Sequence, residues 1–282
     1  KIMIDNFKDK QFIVSGSSSL ELNNEIKEPL TGRKYEFNLF PFTFNELAGH
    51  HQIFKENQLL EQRLIYGSYP EIINRPEEAR ISLISLTNSY LFKDMLSFNE
   101  IRKPILVEKL VEALALQIGS EVSDNELSKL IGIDNQTIER YISLLEQCFV
   151  VFRLGAYSNN LRSEIKKSRK IYFYDNGIRN AIINNFNPLS LRNDSGALWE
   201  NYIISERLKR NHYKQKYIKS YFWRTFQQQE IDLVEVDETK LSAYELKWNV
   251  KKTSKLPKAF SESYQVRNYK IINPDNYFDF LL

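Results

Sequence analysis

The sequence predicts a mixed α/β (α+β) chain, on three observations. Glu230 and Asp232, and then Glu245 and Lys247, stand two residues apart with apolar residues between them, which is the period of half-buried strands. Apolar residues recur at helical spacing from Ala197 to Leu208. Between Ser123 and Leu145 two short amphipathic stretches flank Gly132, the pattern of two helices joined by a tight turn. With 282 residues, 42% hydrophobic and 27% charged, the chain is globular and long enough for two or three small domains. Shifts in composition near residues 100 and 190 suggest units of about 1–100, 101–190 and 191–282.

The first unit contains "KQFIVSGSSSLEL", read as a short buried strand from Phe12 to Val14 that runs into a polar Ser/Gly loop. Such a strand suits the C-terminal edge of a parallel sheet, where α/β proteins bind nucleotides. "LTGRKYEFNLFPFTFNEL" follows as a turn, a strand and a Pro-led helix start. From Pro76 to Phe98 the pattern is an amphipathic helix with Ile81, Ile84, Leu91 and Met95 on the core face.

In the second unit an amphipathic helix around "LVEKLVEALALQI" precedes the helix pair. Ser123 and Glu126 have the spacing of a capping box, and Leu127, Leu130 and Ile131 share a face. The second helix of the pair, from about Asn135, carries Ile138, Ile142 and Leu145. "FVVFRLGAYSNNLRSEIKKSRKIYFYD" then reads as a hairpin, which makes the whole unit winged-helix-like. The would-be recognition helix offers Asp134, Glu139 and Glu146 against Arg140, which favours packing or partner contact over base reading. Arg162, Lys166, Lys167, Arg169 and Lys170 in the hairpin suit contact with a phosphate backbone. Tyr172, Tyr174, Tyr221, Phe222 and Trp223 lie in strand-like runs and read as packing residues.

In the third unit Glu200 falls on the otherwise apolar stripe of Ala197, Ile204 and Leu208, and a buried carboxylate needs a partner. Downstream, Glu230 and Asp232 share one face of a strand, as do Glu245 and Lys247 on the next. A four-residue loop from Asp237 to Lys240 would set Val236 against Leu241, hence Asp232 against Glu245 and Glu230 against Lys247. At about 5 Å and an effective dielectric of about 20, two carboxylates repel by roughly 3 kcal/mol, which a divalent cation, a proton or a lysine must offset. The plain alternative is a surface ion pair between Glu230 and Lys247 on an otherwise solvated hairpin. Ile231, Leu233, Tyr244, Leu246 and Trp248 make the other face apolar, so the hairpin is anchored and its charged face held rigid.

A helix, a strand with Asp232 and a strand with Glu245 and Lys247 resemble, in that order, the PD-(D/E)xK nuclease-like superfamily, with its restriction-endonuclease-like fold. That resemblance implies Asp232 and Glu245 as ligands of Mg²⁺ and Glu200 as a residue orienting metal or water. It implies Lys247 as the group that steadies the nucleophile or the developing negative charge.

The stretch Ser15 to Ser19 resembles the sensor-1 strand and loop of an AAA+ ATPase core, and "LTGR" a turn bearing a nucleotide-sensing or trans-acting arginine. With "YGSYPEII" and "NSYLFKDML", the order resembles a prokaryotic AAA+ ATPase family that carries a C-terminal domain of unknown function with a nuclease-like fold. The resemblance implies nucleotide sensing by Ser17 and Arg33 and a homo-oligomer. None of the nine glycines is followed by lysine, so a Walker A loop is absent, and no paired Walker B acids are apparent. The first unit therefore reads as the C-terminal portion of the ATPase core, and ATP is expected only in a longer form carrying the Walker motifs.

A net charge of +3 does not by itself identify a nucleic-acid binder. Two stretches are locally basic, Arg207 to Lys219 and "KWNVKKTSKLPK", each either a solvated face or a phosphate contact. Cys148 lies in an apolar run and reads as a buried structural thiol, and a single cysteine excludes internal disulfides. His50, His51 and His212 form no credible metal cluster. No stretch of about 18 apolar residues suggests a membrane span, and without a visible signal peptide the expected place is the cytoplasm. Two functions stay open: a nuclease-like domain that binds DNA, with or without cleaving it by a divalent metal, or a non-catalytic binding or assembly module of an ATP-driven protein.

Overall fold

The computed structural model describes residues 6–7, 9–16, 32, 34–89, 103–158 and 169–282. Ser17, Arg33, Leu91, Met95, Arg162, Lys166 and Lys167 lie outside the described residues. The strands expected around Phe12 to Val14 and after "LTGR" are absent: residues 11–16 and 34–40 pair with no strand, and Ile13, Tyr35, Phe37 and Leu39 are exposed. Alternation alone does not hold a strand, whose N–H and C=O groups need a neighbour, and among the described residues none pairs with either segment.

Helix α1 (Phe44–His51) starts from a capping box, in which Glu46 N donates to Thr43 Oγ1 and Thr43 N donates back to the Glu46 carboxylate. Helices α2 (Ile53–Gln58), α3 (Leu60–Tyr66), α4 (Pro70–Asn74) and α5 (Ala79–Leu86) follow. In α5 the buried side chains are Ala79, Ser82 and Leu83, while Ile81 is 74% exposed. The apolar run supports two helical phases, and the one through Leu83 meets the core. After α3 the chain turns at Gly67, with φ 70° and ψ −157°, a region open essentially to glycine alone. That turn presents Ser68 N to the buried Asp175 carboxylate (2.8 Å), which also accepts from Gly177 N (2.8 Å) and Ile178 N (3.2 Å).

Helix α6 (Pro104–Leu116), strand β1 (Glu121–Val122), helices α7 (Asp124–Ile131) and α8 (Asn135–Gln147) and strands β2 (Val151–Ala156) and β3 (Arg169–Phe173) come next. Leu127, Ile131, Ile138, Ile142 and Leu145 are buried as the spacing predicts, with Cys148 in the same core, but Leu130 is exposed. The turn between α7 and α8 uses Gly132 in the left-handed region, as expected. Ser123 makes no side-chain cap bond, so the expected capping box is missing, whereas Asp134 caps α8 by accepting from Thr137 N (2.9 Å). The acids of α7 and α8 face the strands: Arg153 pairs with Glu139 and Glu146, and Arg169 with Asp124 and Glu139. Arg169 is thus part of an internal network rather than free for phosphate.

Helix α9 (Asn176–Ile182) leads to α10 (Ser195–Tyr213), about 28 Å long at 1.5 Å per residue. The chain closes with β4 (Lys219–Arg224), β5 (Glu230–Asp237), β6 (Lys240–Leu246), α11 (Lys258–Ser263), β7 (Val266–Ile272) and α12 (Tyr277–Leu281). All seven strands form one sheet in the order β1-β3-β2-β4-β5-β6-β7, parallel at β2/β4 and β6/β7 and antiparallel elsewhere. The sheet therefore runs through the composition shift near residue 190. Helix α10 covers one face, packing Leu198, Trp199 and Ile203 among Tyr172, Phe222, Leu233, Tyr244 and Leu246. Phe260 of α11 covers the other, with Trp223, Ile231, Val234, Leu241 and Ala243. No helix among the described residues is long and apolar enough to cross a membrane.

Candidate functional site

The β5/β6 hairpin has the expected register, with Val236 opposite Leu241, but Asp237 also pairs with Lys240. The loop is therefore two residues, Glu238 and Thr239, rather than four. Toward the other end the regularity breaks. The pairing of β4 with β5 shifts between Tyr221 and Trp223, and Ile231 packs in the same cluster as Val234, not with Leu233 as strict alternation requires. Leu233, Tyr244, Leu246 and Trp248 do share a face, the one toward α10.

Where β5 starts and β6 ends, the Asp232 carboxylate replaces a ladder carbonyl. Leu246 N donates to Asp232 Oδ2 (2.7 Å), and Lys247 Nζ donates to the same oxygen (3.2 Å). Lys247 Nζ also meets Glu245 Oε2 at 2.5 Å. Lys247 thus stands between the two carboxyl groups, and the Asp232 charge is close enough to act on Glu245. Burial, and next the Asp232 charge, push Glu245 up to about 7, against the pull of Lys247. Burial draws Lys247 down, but the carboxylates of Asp232 and Glu245 outweigh it and hold the ammonium above its ordinary range.

Glu200 joins this centre from α10. Its Oε1 accepts from Lys170 Nζ (3.0 Å) and from Tyr172 OH (2.6 Å). Burial, then the Asp232 charge, raise Glu200, while Lys170 and Tyr172 work the other way. Lys170 pairs with Glu230 as well, and Glu230 has Arg224 Nε at 3.7 Å. The cross-strand pair of Glu230 with Lys247 accordingly does not form, since each has other partners. Neighbouring Asn201 explains why β3 reaches α10 at this point: its carboxamide accepts from Phe173 N (2.7 Å) and donates to Phe173 O (3.0 Å), clamping the strand to the helix.

All four expected residues, Glu200, Asp232, Glu245 and Lys247, are thus connected through direct bonds or felt charges. Two members were not expected. Lys170 is buried, 2% exposed, rather than on a phosphate-facing wing, and Tyr172 bonds to Glu200 rather than only packing. The signal for both was in "RKIYFYD", where a lysine alternates with tyrosines on one face of an apolar strand. Solvent reaches the centre at Lys247 and Glu230, each 27% exposed. A larger groove of about 310 Å³ lies elsewhere, lined by Leu39, Glu46, Arg210 and Tyr213 among others. Four carboxylates stand at the centre, Glu200, Glu230, Asp232 and Glu245, each paired with Lys170 or Lys247. Among the described residues no group of three or more His, Cys, Asp and Glu stands ready to hold a metal ion.

The first basic stretch is partly internal, which corrects its reading as a surface run. Arg207 makes a bidentate pair with the buried Glu235 (2.8 and 2.7 Å), and Lys209 is buried against Glu206 (2.6 Å). After Lys247, by contrast, Lys251, Lys252, Lys255 and Lys258 are exposed.

Comparison with known proteins gives three family matches along the chain. The AAA domain matches residues 1–48, Domain of unknown function (DUF8612) residues 57–189, and Domain of unknown function (DUF4143) residues 195–277. An uncharacterised protein of Mycobacterium tuberculosis is 23% identical over 251 residues, 86% of this chain and 53% of the relative. One of Haemophilus influenzae is 23% identical over 177 residues, 59% of this chain and 44% of its own. A third, of Methanocaldococcus jannaschii, is 22% identical over 215 residues, 70% and 47%. The chain spans about half the length of these curated relatives. No solved structure matches it. On these matches the chain carries an AAA-like, ATPase-family region and shares most of its remaining length with two domains of unknown function.

Proposed function

We propose that the centre of Asp232, Glu245 and Lys247 is a phosphodiester site for DNA, carried by an ATP-driven protein. The observation that carries this reading is that Lys247 Nζ stands 3.2 Å from Asp232 Oδ2 and 2.5 Å from Glu245 Oε2, which brings two acids and a lysine to one point. Two carboxylates close enough for the charge of one to raise the other suit a hard divalent ion, and Mg²⁺ commonly takes one or two protein carboxylates and fills its octahedron with water and phosphate oxygens. Held there, the ion would supply Lewis acidity and a lowered water pKa. Lys247 spends two of its three N–H donors on the acids, which leaves one for a phosphate oxygen as negative charge develops. Glu200, fixed by Lys170 and Tyr172, accepts and orients a water proton. The exposed lysines after Lys247 bind flanking phosphates.

The order of α6, β1, α7, α8, β2 and β3, with β3 between its partners, supports a winged-helix-like reading of that stretch. The AAA match and the greater length of the relatives support an ATP-binding, self-assembling whole protein of which this chain is the later part.

A second reading, a non-catalytic binding or assembly module, has its own support: Lys170, Lys247 and Arg224 already answer the acids from within. Two measurements separate the readings. The catalytic one expects Mn²⁺ binding by calorimetry that Asp232→Ala abolishes, and plasmid nicking that Glu245→Ala lowers by at least tenfold. Salt-dependent DNA binding with neither property leaves the module, and an intact plasmid alongside Mn²⁺ binding that survives Asp232→Ala rejects the site.

A further inference from the structure

The acids of this centre are served by two lysines from different parts of the chain. Lys247 follows β6 and stands between Asp232 and Glu245 at the solvent edge. Lys170 comes from β3 and lies inside, with its ammonium between Glu200 and Glu230. Its position is fixed on every side. Strand β3 is held by β1 and β2, Asn201 clamps Phe173, and the ammonium sits 5.4 Å from the centre of the Phe222 ring. Tyr172 OH donates to the same Glu200 oxygen, and Arg224 adds a second positive partner for the pair by approaching Glu230.

We infer that Lys170 is a positioning residue that takes the place of a second cation, so that the centre admits a single divalent ion, at Asp232 and Glu245. The inference rests on the reading of Asp232 and Glu245 as ligands. Paired metal sites set two ions about 3.5–4 Å apart, each on shared carboxylates. Here the carboxylates that would carry the second ion, Glu200 and Glu230, are bridged by an ammonium that cannot leave, because its stem is buried. A divalent ion at oxygen-ligand distance from Glu200 Oε1 would stand against that ammonium with little water between them to weaken the repulsion. Glu200 is thereby kept out of the ligand set and free to orient water.

MnCl₂ titrated into the full chain and followed by isothermal titration calorimetry tests this. The expected stoichiometry is one ion for the wild type, one for Lys170→Arg, which keeps the charge, and two for Lys170→Met, which keeps only the stem. If Lys170→Met is unfolded without metal, its melting temperature against the logarithm of MnCl₂ concentration gives the number of ions taken up on folding, and two are again expected. One ion in both the wild type and Lys170→Met overturns the inference alone, as do two ions in the wild type. A wild-type chain that binds no ion removes the reading of the site and this inference with it.

Discussion

Raising the pH of the metal-free protein should weaken it through one side chain. Glu245 in the folded chain holds its proton up to about pH 7, against 4.5 for an ordinary glutamate. Between those values the folded state binds more protons than the unfolded chain, so stability falls as pH rises and the loss is complete above the folded value. The gap is worth about 3 kcal/mol. Solvent does little to reduce it, since the Glu245 side chain is 6% exposed. Glutamine at this position keeps the shape and does not titrate. Urea unfolding of the wild type and Glu245→Gln from about pH 4.5 to about pH 8 measures the difference directly, and the histidines, common to both, cancel. The wild type should lose about 3 kcal/mol relative to the variant across that range. Parallel curves would show that burial and the Asp232 charge do not raise Glu245, and the electrostatic account of the centre would fail.

Gly67→Ala should cost about 2–6 kcal/mol, from about 1–3 of backbone strain and a similar loss where Asp175 is pushed off its amides; the added Cβ would meet Asp175 Oδ1 at 1.9 Å. A drop in the urea midpoint equivalent to under about 1 kcal/mol would contradict the glycine-only turn. Asn201→Ala should cost about 2–5 kcal/mol, read the same way, because both main-chain groups of Phe173 lose a buried partner. Leu83→Ala should cost about 2–5 kcal/mol and Ile81→Ser within about 0.5, so equal effects in thermal unfolding would place the wrong face of α5 against the core.

The C-terminal hairpin and α10 were legible because strand alternation and helical spacing are local, and a register once set carries Asp232 toward Glu245. The pair of helices around Gly132 was legible for the same reason. What was not legible depends on distant chain. Lys170 and Tyr172 lie about 30 residues before Glu200 in sequence and were read as wing and packing residues, since nothing near them shows that Asn201 will dock their strand. Ile231 changed faces because of a shift in the pairing with β4, a strand whose register has no local signature. The segments around Phe12 and Tyr35 look like strands by composition, but pairing is a property of two segments, and no strand among the described residues pairs with either.

Leu246 gives its amide proton to a carboxylate where its neighbours along the ladder give theirs to carbonyls. An amide so polarised resonates downfield, and its shift follows the charge it faces. In a ¹⁵N-labelled sample this one backbone signal would report whether the acids beside it hold a proton, an ion or a substrate, without a probe attached anywhere near them.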